Sequence, residues 1–93
     1  MNATVMKELE TLCKELKQLT WNNDHTGALM RIADYFRMAD YYAIFKAIET
    51  IHDAERCMPY DLGAYRRRKS KEMMDAIKQQ HGEEIRNKIY NSL

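Results

Sequence analysis

The chain has 93 residues, 45% of them apolar and 31% charged, and a formal net charge of +1. That length holds one domain, residues 1–93, with one modest core, and the composition argues against intrinsic disorder. Three glycines and one proline leave too few tight turns for an all-β fold, so helix is the expected element throughout.

Val5, Leu9, Leu12, Leu16 and Leu19 alternate steps of four and three residues. This spacing predicts a helix over about 3–20 with one apolar seam, packed either on its own domain or against a second copy as a homodimer. The stretch TWNNDHTG breaks it, because Asn22, Asn23 and Asp24 bond readily to nearby backbone. Asp24 or Thr26 suits the cap of a second helix over about 26–38. Trp21, at the junction, is placed to close one end of the core. Leu29, Ile32, Ala33 and Phe36 form one apolar face, whereas Tyr41, Ile44, Phe45, Ile48 and Ile51 form another. The two faces do not align along one straight helix. A break near Met38–Asp40 is therefore expected, with Asp40 capping a third helix over about 40–57, although one continuous helix also fits.

Pro59 disfavours helical geometry at Met58, and Asp61 suits the cap of a fourth helix over about 62–80. Its apolar positions are Leu62, Tyr65, Met73, Met74 and Ile77. Gly82 marks a stop in a left-handed cap. Glu83 and Glu84 suit the first turn of a last helix over about 83–91, which carries Ile85, Ile89 and Tyr90. The expected fold class is all-α, a compact bundle of four to five helices joined by short loops.

Charge is unevenly placed. Residues 1–61 hold seven bases and ten acids, a net of −3; residues 62–93 hold eight bases and four acids, a net of +4. The positive pole is YRRRKSK, with five cations in seven residues. Arg66, Arg67, Arg68, Lys69 and Lys71 are the candidate anion- or nucleic-acid-binding side chains. Consecutive residues fan around a helix at about 100° each, so these cations cannot all share a face. About three are expected to point outward together, enough for weak, salt-sensitive phosphate contact. Tyr60 and Tyr65 lie beside them and suit stacking. The sequence pI of about 7.8 is below that of a dedicated nucleic-acid domain.

Chemistry finds little support. His52 and Cys57 diverge on a helix, His25 and His81 are isolated, and Cys13 lies among leucines, so neither a metal site nor a thiol nucleophile is expected. Glu49 and Asp53 share a helix face as surface acids, with Asp53 spaced to pair with Arg56. No glycine-rich phosphate loop is present, and no cofactor is expected. The aromatics are denser: Tyr35, Phe36, Tyr41, Tyr42 and Phe45 fall within eleven residues. Not all can point inward, and exposed tyrosine suits recognition. Tyr35, Tyr41, Tyr42, Tyr60 and Tyr65 are thus the candidate partner-binding residues.

These features predict a non-enzymatic protein-interaction module that binds and modulates or inhibits a larger macromolecular complex, itself one that could process nucleic acid. In size and lack of a catalytic motif the chain is similar in type to small accessory and inhibitor proteins of phages and mobile elements. That is a likeness of class, not of motif. The alternative is a nucleic-acid-binding regulator using Arg66–Lys71, as a homodimer through the leucine seam. The charged N-terminal stretch, the two cysteines and the absence of a long apolar run predict a cytoplasmic protein without membrane contact.

Overall fold

The computed structural model describes residues 3–55 and 58–93. Five helices follow one another: α1, Ala3–Trp21; α2, His25–Tyr35; α3, Ala39–Glu55; α4, Tyr60–His81; and α5, Glu83–Tyr90. No strand occurs among the described residues. The fold is the expected all-α bundle of four to five helices, with five among the described residues.

Helix ends show how the sequence writes this path. Asn23 adopts φ 61°, a conformation asparagine tolerates better than most residues. The N–H groups of Asn23 and Asp24 then donate to the carbonyls of Thr20 (3.0 Å) and Leu19 (2.8 Å), closing α1 in a Schellman motif. Asp24 next caps α2, its Oδ1 accepting from the Gly27 N–H at 2.9 Å. Of the two expected caps it is therefore Asp24 that serves; Thr26 is buried instead.

The second break repeats this geometry. Arg37 has φ 56°, and the N–H groups of Arg37 and Met38 donate to Asp34 (3.1 Å) and Ala33 (2.8 Å). The chain thus breaks at Phe36–Met38, slightly before the expected Met38–Asp40. Asp40 lies inside the first turn of α3 rather than at its cap, where its charge still complements the helix dipole. Asp61 is displaced in the same way. Pro59 is the N-cap of α4, and its carbonyl accepts from the Gly63 N–H at 2.9 Å. Gly82 at φ 97°, ψ 163° ends α4 and begins α5, a backbone region essentially restricted to glycine.

α2 is the central element, packing on α1, α3 and α4. Ala28 and Ala33 are fully buried, and these small side chains let neighbouring helices approach. Leu9, Leu12 and Leu16 of α1 meet Leu29 and Ile32 of α2, Phe45 and Ile48 of α3, Met73, Met74 and Ile77 of α4, and Ile89 of α5 in one core. Burying each such side chain is worth about 1.5–3 kcal/mol. The leucine seam is therefore spent inside the chain: Leu9, Leu12 and Leu16 are at most 2% exposed, with Val5 and Leu19 half-buried. It offers no open stripe for the homodimer considered from sequence. Trp21 does not close the core either, being 85% exposed, and Ile51 is also exposed, at 43%. The expected end of α3 at residue 57, the Asp53–Arg56 pair and the Cys57 thiol fall on residues outside those described.

Candidate binding surface on the basic helix

α4 carries the basic run, and its geometry divides that run. The buried stripe of the helix is Gly63, Met73, Met74 and Ile77. Arg66 and Ser70 fall on the same side at steps of three and four residues. Arg66 is accordingly half-buried, and its Nη1 donates to Thr26 Oγ1 at 3.0 Å. Thr26 is itself buried, so this hydroxyl of α2 anchors the arginine of α4. Burial, and then the neighbouring Arg67 charge, hold the Arg66 guanidinium below the ordinary arginine value.

Arg31 provides the contrast within the same chain. Its Nε donates to Glu15 at 2.6 Å and its Nη1 lies 3.5 Å from Asp34. The Glu15 hydrogen bond chiefly raises its pKa. Arg31 is a compensated cation, whereas among the described residues Arg66 has only a neutral hydroxyl.

The remaining cations separate to two edges of α4. Arg67 and Lys71 are exposed and, with Arg66, line a groove of about 670 Å³ between the start of α2, α4 and the end of the chain. On the opposite edge, Arg68 Cζ and Lys69 Nζ each lie 5.6 Å from the Tyr65 ring centroid. Lys69 also pairs with Glu72 at 3.0 Å. That hydrogen bond, with the charges of Glu72, Tyr65 and Tyr41, raises its pKa. Among the described residues, Arg66, Arg67, Arg68 and Lys71 have no ion pair, whereas Arg31, Lys46, Lys69 and Arg86 do.

The tyrosines do not form one surface. Tyr35 and Tyr41 are half-buried at the margin of the core. Tyr35 meets Phe36 edge-on at 4.9 Å, and Phe36 in turn meets His81 at 4.9 Å. Burial is the main cause of a raised Tyr35 pKa, followed by the Glu8 charge. Tyr42 is marginally exposed at 38%, and Tyr60, at the start of α4, is 83% exposed. Tyr65 is half-buried beneath Arg68 and Lys69.

Sequence reasoning missed the groove's second wall. Arg86 of α5 lines it with Tyr90, Leu93 and His25. Arg86 reads in sequence as an ordinary surface partner of Glu83 three residues earlier, and nothing local reports that α5 folds back beside α4. No group of three or more His, Cys, Asp or Glu side chains suited to a metal ion occurs among the described residues, and no described helix is long and apolar enough to cross a membrane. A scan against protein-family models finds no match, and searches of curated proteins and of solved structures find none either.

Proposed function

We propose that this chain is a non-catalytic interaction module that docks on a larger macromolecular complex through the basic face of α4 and modulates or inhibits it. One observation carries this: Arg66, Arg67, Arg68 and Lys71 have no carboxylate partner among the described residues, although the chain contains 14 acids. Arg31, Lys46, Lys69 and Arg86, by contrast, each pair with an acid. Arg66, Arg67, Arg68 and Lys71 instead put four unpaired positive side chains within six residues of α4, three of them exposed. Such a surface repels like charge and steers an anionic partner into place. Arginine's planar fork favours two-point contact with carboxylates.

A second reading, nucleic-acid binding, is favoured by the other edge of α4. Tyr60 is open to solvent, and Tyr65 carries Arg68 and Lys69 over its ring, an arrangement suited to base stacking beside phosphate contacts.

Two measurements separate them. The first is affinity capture after nuclease treatment, with the wild type beside the Arg67→Glu, Lys71→Glu double variant. A protein complex retained by the wild type and lost by the variant supports the module. The second is binding to generic single- and double-stranded DNA and RNA at about 50 and 200 mM salt. Micromolar or tighter affinity that falls steeply with salt supports the second reading instead.

A further inference from the structure

We infer that the groove between α2, α4 and α5 receives an acidic, amphipathic peptide segment of the protein partner. This deepens the module reading and rests on it. The groove has two chemical components. Leu29 and Met74, both at most 6% exposed, supply apolar floor, and Tyr90 and Leu93, 62% and 40% exposed, supply an apolar rim. Around them stand Arg66, Arg67, Lys71 and Arg86 with His25, against one acid, Asp75.

The charge is under-compensated from both walls. Arg66 donates to a neutral hydroxyl. Arg86 reaches Glu83 only at 3.9 Å, and its buried Nε has no hydrogen-bond acceptor among the described residues. An entering carboxylate meets Arg66 and Arg67, which no acid among the described residues pairs, and Arg86, which Glu83 holds only at long range. The volume, about 670 Å³, is that of a pocket able to hold a drug-sized ligand. Six of its lining residues, His25, Arg67, Lys71, Asp75, Tyr90 and Leu93, are exposed, so it is an open trough suited to a passing chain.

The aliphatic part of the rim discriminates between classes of anion. A nucleic-acid strand places phosphates on cations and bases on aromatic faces, and of the groove's lining only Tyr90 and His25 offer a ring, which leaves the exposed Leu93 unmatched. A peptide with acids on one side and bulky apolar residues on the other satisfies both components, in the manner of an amphipathic segment laid in a groove.

The test is selection of a displayed random 12-residue peptide library against the full chain, followed by titration of the best synthetic peptide into ¹⁵N-labelled protein. Enriched peptides should carry at least three Asp or Glu with at least two large apolar residues. Shifts should cluster at Leu29, Met74 and Leu93. Arg67→Glu, Lys71→Glu should weaken the peptide at least ~10-fold with unchanged far-ultraviolet dichroism. Enrichment without acids, no enrichment, or shifts confined to the Tyr65–Arg68 edge overturns the inference. So does a 12-nucleotide single strand that produces the groove shifts at lower concentration than the peptide. Each failure leaves the module reading to stand or fall on the nuclease-treated capture.

Discussion

At the scale of single residues, the informative contact is Arg66 to Thr26. It joins a side chain 40 positions away to the buried Thr26 in the first turn of α2. Thr26→Val keeps the shape and removes the acceptor, leaving a half-buried guanidinium unpaired. The expected loss is about 1 kcal/mol, measured as a shift in the urea midpoint, and a change of under a few tenths would show the contact to be incidental. Tyr35 gives a pH dependence. Burial raises its folded-state pKa, so the neutral phenol's contribution is complete below the unfolded value near 10. It is lost as pH rises through the folded value. Tyr35→Phe cannot ionise. Its urea midpoint should therefore fall less than the wild type's between about pH 9 and pH 11; an equal fall assigns the alkaline loss to other groups. Neither contact was legible in the sequence. Thr26 read as a possible helix cap, because Asp24 and Thr26 have similar local chemistry. Only the neighbouring helix decides which of them turns inward.

At the scale of elements, the sequence signals were strongest where local chemistry alone sets the outcome. The α1 seam, the Asn-rich turn and Gly82 each marked an element or boundary that the structure contains. The displaced caps have one cause. An acid just inside a helix and an acid at its cap look alike in sequence, and Pro59 and Met38 hold the preceding positions. The α2–α3 turn was the harder case because arginine is not a residue expected at positive φ. Arg37→Gly should relieve that conformation and stabilise the chain by about 0.5–1 kcal/mol, read from thermal or urea unfolding; a destabilisation would contradict the left-handed assignment. The seam has an equally direct test. Leu12 is 1% exposed, so Leu12→Asp places a charge in the core and should cost more than about 4 kcal/mol. Dichroism should show an unfolded chain. A variant that is folded and monomeric by light scattering would return the seam to an intermolecular role.

At the scale of the whole molecule, the charge imbalance between residues 1–61 and 62–93 was readable directly, but its geometry was not. Helical rotation already required the five cations to spread, but not which edge each one takes. The fold places Arg66, Arg67 and Lys71 on a groove, and Arg68 and Lys69 over Tyr65. This division follows from helical rotation together with the direction of the buried stripe, which depends on where α2 and α5 pack. Arg86 enters the site for the same reason. The two edges of α4 therefore make different predictions for function.

The decisive measurement is the affinity of the captured partner complex for two charge-reversed chains with matched thermal unfolding. One is Arg67→Glu, Lys71→Glu on the groove edge, and the other is Arg68→Glu on the Tyr65 edge. Groove-edge reversal should weaken binding by about 100-fold, and reversal of the opposite edge by less than about threefold. Equal losses, or a greater loss from Arg68→Glu, would contradict the assignment of partner binding to the groove edge of α4.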